Sequence, residues 1–517
     1  MNEIRRLLKC ANPECQLHGV ACNPTLGEVL PYKGFSLAVW KWIAEEAKLY
    51  NQNARQIHDR AQEQFGLSIS ENTIRNYVDE IDVLLGNEID EKTRRLLLVQ
   101  GVIVLALDGQ KPDANGKALW IFVDLVSNRV LKVAILESAD SGTLHELVEA
   151  ILQRYRVKMV GMVSDKQNNL TKLHDDWYPA VHHQYCQYHF LQNLWNHVEV
   201  KDCGLHQQLA KSIKHLYITS ASKDAKVQVE GRGQLPVREV FKKVEGELRR
   251  LVKTRNKKFE CLRGVEAYEG VRAYVDQMVA TLALSDGQQQ GVALLNATTA
   301  DLHDLLVETR GVYEECKELD VHFQEIRHWL GKDCPSKGAK LSRGDHLFQK
   351  LWQSVKGAGG ATKRADLRTF LPHKDTPLAK VEQEFVRLYD SYRPGLFAYF
   401  DFPAPVKTNS AIEQGIGQEK GRLRHRNSKA NVGIQVRIRG EFELKQVYAG
   451  KDEVRAIIKR MGPQYSQADL KTGLQQLAAR RNHETGEWRT DKLQNGLPEI
   501  LQFLSAYWTK EEAGLGR

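Results

Sequence analysis

The chain has 517 residues, with 74 Lys and Arg against 65 Asp and Glu, a formal net charge of +9, and 42% hydrophobic and 27% charged residues. That composition excludes collagenous, fibrous and wholly disordered classes, and at about 150 residues per domain the length predicts about three or four domains. The longest apolar run, Leu96 to Leu107, is broken by Gln100 and Gly101 and is too short for a bilayer, and the early charges of Glu3, Arg5 and Arg6 leave no apolar stretch for a secretory signal, so an intracellular protein without membrane association is expected.

In chain order, the first feature is Cys10-Ala-Asn-Pro-Glu-Cys15-Gln-Leu-His18-Gly-Val-Ala-Cys22. Soft and borderline ligands this close, with Pro13 and Gly19 to turn the chain, fit a zinc knuckle of Cys10, Cys15, His18 and Cys22 over residues 1–30. Residues 31–92 have helical period. Phe35 to Ala47 and Ala54 to Phe65 are followed by the turn Gly66-Leu-Ser-Ile-Ser70, with Ser70 placed to cap a helix beginning at Glu71. Short helices joined by a glycine-containing turn read as a helix-turn-helix, in which Asn72, Thr73, Arg75 and Asn76 would face DNA. The acids Asp79, Glu80 and Asp82 favour the alternative of an ordinary packed hairpin.

The period then changes. Gly101 to Asp108, Ala118 to Val126 and Arg129 to Leu136 read as strands with short turn-like links. A helix from Ser141 to Tyr155 leads to a buried strand, Lys158 to Asp165, then a short strand, Val181 to Tyr185, and a helix from Tyr188 to Val198. Hairpin-linked strands followed by strands alternating with helices describe a mixed α/β sheet over residues 93–200. From 201 to 395 the pattern is helical and amphipathic, with loops expected at Ser220 to Leu235 and Gly357 to Thr362. Trp195, just before it, and Trp329 and Trp352 within it are expected in cores rather than stacked on bases.

Asp108 and Asp165 each end an apolar strand, where α/β sheets present catalytic groups. For Asp108 alone, a turn at Asp108-Gly109 is the plainer alternative. Carboxylates brought together repel unless a cation separates them, and hard oxygen ligands suit Mg²⁺ or Mn²⁺. A further acid, Glu413, opens a helix after Thr408 and Asn409, with Glu419 as its competitor. Behind it, Lys420 to Gly440 holds Lys420, Arg422, Arg424, Arg426, Lys429, Arg437 and Arg439 and no acid, a charge of +7 in 21 residues. A run of one sign reads as a phosphate-binding surface.

Together, Leu105-Ala-Leu-Asp108-Gly-Gln, Gly161-Met-Val-Ser-Asp165-Lys-Gln, Cys186-Gln-Tyr-His189-Phe and Thr408-Asn-Ser-Ala-Ile-Glu413-Gln resemble a bacterial insertion-sequence transposase of the DDE type, similar to the Mutator-like group. The Cys-Asn-Pro-Glu-Cys segment, Ile57-His58 and Ile69-Ser70-Glu-Asn-Thr73 are also similar to that family. The resemblance implies an α/β ribonuclease-H-like catalytic domain, in parts 93–200 and 396–450, interrupted by an all-α insertion over 201–395 and preceded by the knuckle and helix-turn-helix. It implies Asp108, Asp165 and Glu413 as a Mg²⁺- or Mn²⁺-binding triad, with Zn²⁺ as a second metal. Cys186 and His189 match a family element read as structural rather than metal-binding. Asp124 stands as a supporting acid or a core-edge residue.

The implied activity is metal-dependent cleavage and strand transfer at the ends of a mobile element. The implied partners are double-stranded DNA at those ends and at the target, with a homodimer or higher oligomer on the DNA, in the cytoplasm and associated with the nucleoid. The alternatives are a DNA-binding regulator or catalytically inactive domesticated derivative, and a nuclease without transfer activity. The region 451–517 reads as helical and mixed in charge.

Overall fold

The computed structural model describes residues 8–9, 21–22, 35–110, 118–215, 226–229, 233–253, 260–283, 290–356, 377–427, 433–462 and 470–484. The chain forms two compact units: Met1–Cys186 with Asp401–Arg517, and Gln187–Phe400. Of the expected zinc knuckle, only the antiparallel backbone pair β1 (Leu8–Lys9) and β2 (Ala21–Cys22) is described. Cys10, Cys15, His18 and the Cys22 side chain lie outside the described residues.

In the first unit, α1 (Leu37–Lys48), α2 (Ala54–Phe65) and α3 (Glu71–Gln100) pack around Trp40, Ile43, Ile57, Ile69, Ile74 and Ile81. Each start is chemically marked. Asn53 and Gln56 form a reciprocal capping box on α2, Gly66 ends it at φ 63°, and the Ser70 hydroxyl accepts from Thr73 N at 3.1 Å. The turn is pinned because the His58 ring bonds the Ile69 carbonyl at 2.6 Å through Nδ1. The expected helix beginning at Glu71 is longer than the short helix of a helix-turn-helix. It runs for 30 residues to Gly101, whose φ of 70° releases the chain directly into a strand.

That strand is β3 (Val102–Gln110), and β4 (Ala118–Asp124), β5 (Arg129–Leu136), α4 (Ser141–Tyr155), β6 (Lys158–Ser164), α5 (Asn168–Trp177) and β7 (His182–Tyr185) follow. They form one mixed five-stranded sheet in the order β5-β4-β3-β6-β7, antiparallel among the first strands of the chain and parallel from β3 to β6 to β7. One face packs Leu105, Leu107, Phe122 and Met162 on α4 and α5 through Leu144, Val148 and Leu173. The other carries Val104, Ala106, Ile121, Val123 and Val163.

The second unit begins with α6 (Gln187–His215), a helix longer than its expected extent. Strands β8 (Lys226–Val229) and β9 (Gly233–Pro236) pair antiparallel where a loop was expected. Short strands of Lys, Val and Gln without a long apolar run carry too weak a period to be read. Helices α7 (Val237–Leu251), α8 (Arg263–Ala283), α9 (Gln290–Gly331), α10 (Lys337–Lys356) and α11 (Pro377–Tyr392) complete it. The expected loop at Gly357 to Thr362 lies outside the described residues. Leu205, Leu209, Val271, Leu302 and Cys316 form one core. Lys340 is fully buried, and its ammonium donates to the carbonyls of Trp329, Leu330 and Lys332, closing the C-terminal end of α9.

The chain returns to the first unit through α12 (Ser410–Asn427) and α13 (Gly433–Arg460), with a further helix at 470–484. Ile412, Ile416 and Leu423 of α12 and Val436 and Leu444 of α13 cover the Val104-Ala106-Val163 face. Buried charges join these late helices to the early ones. Lys48 pairs with Asp82 and with Glu443 at 3.2 Å, Arg426 holds Glu443 at 2.7 Å, and Arg439 pairs with Asp82 at 2.7 Å and with Asp79. Burial pushes the Glu443 carboxyl upward, but Arg426 and Lys48 outweigh it and hold it well below the usual range. Burial likewise raises Glu441, and Lys445 and Arg480 bring it down to about 2.

Removing one partner from a buried pair strands the other, so Asp82→Ala should lower unfolding stability by about 3–5 kcal/mol in denaturant titration. Because these glutamates are depressed in the folded state, their contribution is present above the ordinary value of 4.5 and is lost as pH falls towards about 2. The thermal midpoint should therefore fall across that window. A midpoint flat over it would show that the pairs contribute nothing.

Candidate active site

The sequence places Asp108 at the end of an apolar strand, but β3 continues through Gly109 to Gln110. The Asp-Gly pair is no turn. A Cβ at Gly109 would lie 2.6 Å from the Trp120 ring of the adjacent β4, so glycine is there to admit the indole. Asp108 itself is 9% exposed.

Asp165 follows β6 directly. The two strands are parallel with Ala106 opposite Val163, so Asp108 and Asp165, each two residues further on, are level with one another. Strand alternation puts Asp108 on the face that carries Ala106 and Val163, and Asp165 is the first residue beyond β6. The end of β6 is held firmly. Ser164, fully buried, shares a hydrogen bond of 2.8 Å with His183 Nε2, and Cys186 N donates to the Ser164 carbonyl at 2.7 Å. Burial and then the neighbouring His174 push His183 down to about 3, leaving a neutral ring beside Ser164. The Asp165 carboxylate accepts from Gln167 N at 3.1 Å and Gln167 Nε2 at 2.6 Å. Lys166, at φ 66°, lies over the Tyr185 ring with its ammonium 5.2 Å from the centroid.

The same sheet face receives α12, whose first turn contains Glu413 between the core residues Ile412 and Ile416. The preceding Asn409 is fully buried, and its amide donates to Asp108 Oδ2 at 3.5 Å while its Oδ1 has no hydrogen bond. Asn409 therefore serves the acid rather than only starting the helix. From α13, Tyr448 packs against Gly415, where a Cβ would come within 2.5 Å of the ring. Burial raises the Tyr448 hydroxyl, and the charge of Asp108 raises it further. Sequence reasoning missed Tyr448 and the role of Asn409, because neither proximity has a periodic signal.

The competitor Glu419 is fully buried between α12 and α13, with neither carboxylate oxygen hydrogen-bonded. Burial, and then the charge of Glu443, push it well above its ordinary value, so it is a protonated acid and a poor cation ligand. Asp124 is likewise no ligand. Its buried carboxylate accepts from Val104 N at 3.1 Å, Ser127 N at 2.9 Å and Gln100 Nε2 at 2.8 Å, organising the β4–β5 turn.

Among the described residues, Asp108, Asp165 and Glu413 do not bring ligand oxygens all within 4.8 Å of one another. Carboxylates are hard oxygen donors, and a divalent ion of the Mg²⁺ or Mn²⁺ type is what such residues would hold.

The expected basic surface needs correction. Arg426 is buried on Glu443, and Arg437 and Arg439 are held by Glu484 at 2.5 Å and by Asp79 and Asp82. Three of the seven basic residues are structural, because their complementary acids lie outside the run, where a local charge count cannot see them. Arg424 is exposed, Lys420 and Arg422 are half-buried, and Lys429 lies outside the described residues. The acids Asp79 and Asp82, read as favouring a packed hairpin, are consumed by these arginines. On α3, Asn72, Arg75 and Asn76 are exposed, while Thr73 is half-buried and bonded to Ser70 at 2.9 Å.

Cys186 is a buried free thiol, and His189 lies in the first turn of α6. Among the described residues no third ligand joins them. Trp195, Trp329 and Trp352 are all buried in the second unit and are not placed to stack on a base. Compared with known protein families and with curated proteins, the chain matches no family model and no curated sequence.

The two glutamates of α12 are separable by experiment. A raised Glu419 makes the folded state progressively less favourable as pH rises above 4.5, so Glu419→Gln should gain stability over the parent at neutral pH and lose that advantage by about pH 4. Thermal melts across this range check it, and an advantage independent of pH would refute the protonated assignment.

Proposed function

We propose that the chain is a DDE-type DNA transposase that cuts and joins DNA at the ends of a mobile element, using Asp108, Asp165 and Glu413 as its metal-binding carboxylates. The observation that supports this reading is the parallel pairing of β3 and β6, with Ala106 opposite Val163 two residues before Asp108 and Asp165 and with α12 covering the face of Ala106 and Val163. The strand order, with β3, the first strand of the five-stranded sheet, central between an antiparallel and a parallel neighbour, supports a ribonuclease-H-like catalytic domain. The helical unit Gln187–Phe400, lying in sequence between Asp165 and Glu413, supports the reading of an insertion.

When bound, a pair of Mg²⁺ or Mn²⁺ ions would supply activation of the attacking oxygen and stabilisation of the leaving one. The chain's own residues supply the setting. Asn409 orients the Asp108 carboxylate through its amide, Tyr448 walls the site from α13, and Ser164 with His183 fixes the strand end that carries Asp165. Among the described residues, Asn72, Asn76, Arg424 and Arg75, which pairs with Glu71, are exposed, and on this reading they would contact DNA. No covalent protein intermediate is needed, since each oxygen nucleophile comes from water or from a DNA 3′ hydroxyl.

The test is incubation of the full chain and Mg²⁺ with plasmid bearing the DNA that flanks its coding region. Wild type should give both nicks and joined ends. Even outer partners of metal ligands cost about 10–100-fold, so Asp108→Asn and Glu413→Gln should each lose more than about a hundredfold. Glu419→Gln should stay active. Cleavage that survives Asp108→Asn would sink the triad, and cuts that are never joined would identify a nuclease instead.

A further inference from the structure

Within the helical unit, Glu318 and His322 lie one turn apart on α9, and Glu382 faces them from α11. One ligand atom from each lies within 4.8 Å of the other two, the one group of at least three His, Cys, Asp or Glu among the described residues to do so. The i,i+4 spacing puts Glu318 and His322 on one helix face. The trio borders an apolar seam, since Leu319, Phe323 and Ile326 of α9 and Phe385 and Val386 of α11 are all fully buried.

An ordinary His–Glu ion pair does not describe the geometry. His322 Nε2 is 3.2 Å from Glu382 Oε1, yet neither ring nitrogen makes a hydrogen bond, although both are sealed from water. The carboxylate oxygen therefore lies off the direction in which the ring N–H would point. Buried polar atoms are nearly always satisfied, and an imidazole nitrogen left so costs stability. A cation placed between the nitrogen and the oxygens satisfies them together. Glu318 is 56% exposed on its side chain and Glu382 only 5%, so the group is closed on the core side and open to water on the other.

We propose that Glu318, His322 and Glu382 form a divalent transition-metal site of the zinc class, completed by water, that staples α9 to α11. One imidazole with carboxylates is a nitrogen-and-oxygen donor set, which selects Zn²⁺ and its first-row neighbours over Mg²⁺ or Ca²⁺. Bound only when both helices are in place, the ion adds its binding free energy to the stability of the helical unit. The site is independent of the Asp108, Asp165 and Glu413 reading.

The test uses the full chain, stripped with a chelator and titrated with ZnCl₂, alongside His322→Gln and Glu318→Gln. Wild type should bind one more zinc than His322→Gln, and zinc should raise the thermal midpoint of wild type but not of that variant. Loss of an outer partner already weakens metal binding by about 10–100-fold, so Glu318→Gln, altering an exposed ligand, should weaken this site by at least about tenfold. That variant carries the test if His322→Gln fails to fold. With CoCl₂, the band lost on His322→Gln should be a visible ligand-field band without thiolate charge transfer, which separates this site from Cys10, Cys15 and Cys22. Equal zinc content and equal zinc-dependent midpoints in all three proteins would overturn the proposal.

Discussion

The first unit depends on a buried set of charges that ties its early helices to its late ones. Lys48 of α1 and Asp79 and Asp82 of α3 meet Arg426, Arg439 and Glu443, contributed from beyond residue 400. Hydrophobic contact would hold the same helices together without fixing their register, because apolar packing is non-directional. Ion pairs in a low-dielectric interior are directional, and one wrong partner leaves a charge unmet at a cost of several kcal/mol. The network thus favours a single docking of α13 on α3. That docking also determines where α12, joined to α13 in sequence, meets the sheet.

Site geometry follows from that placement. The sheet places Asp108 and Asp165 near the ends of neighbouring strands through backbone pairing, Ala106 lying opposite Val163 two residues before each. Glu413 has no such ladder. Its neighbours Ile412 and Ile416 are buried against Val104, Ala106 and Val163, which docks the first turn of α12 on that face. Apolar packing therefore fixes the position of the helix turn that carries Glu413. Asn409 and Tyr448 then shape the surroundings of Asp108 with a neutral amide and a phenol kept protonated by burial and by the acid's own charge.

Much of this was legible in the sequence where the signal is local. The limits of α2, β5 and α4 follow from capping residues and hydrophobic period, and the strand segments of Asp108 and Asp165 from continuous apolar runs. What was not legible is what depends on distant partners. Gly109 reads as half of a turn until Trp120 is seen against it, and β8 and β9 are too short and polar to stand out. The extension of α3 to Gln100 escaped because its middle, Asp79 to Gly86, is buried on nearly every side and so loses the one-sided pattern of a surface helix.

The basic run behind Glu413 shows why a charge count is not a field. Its arginines are drawn from two populations with different physics. Arg426, Arg437 and Arg439 are neutralised inside the protein, where each charge is worth most and is least available to a phosphate. Arg424 keeps an exposed side chain on the solvent side of α12, where its attraction to a polyanion is screened over about 10 Å at 0.1 M salt. A DNA strand running past Asp108 would therefore meet a weaker positive surface than the +7 of Lys420 to Gly440 suggests. Its alignment would rest more on short-range contacts from α3 and α12 than on long-range steering, and long-range steering is the part that salt weakens most.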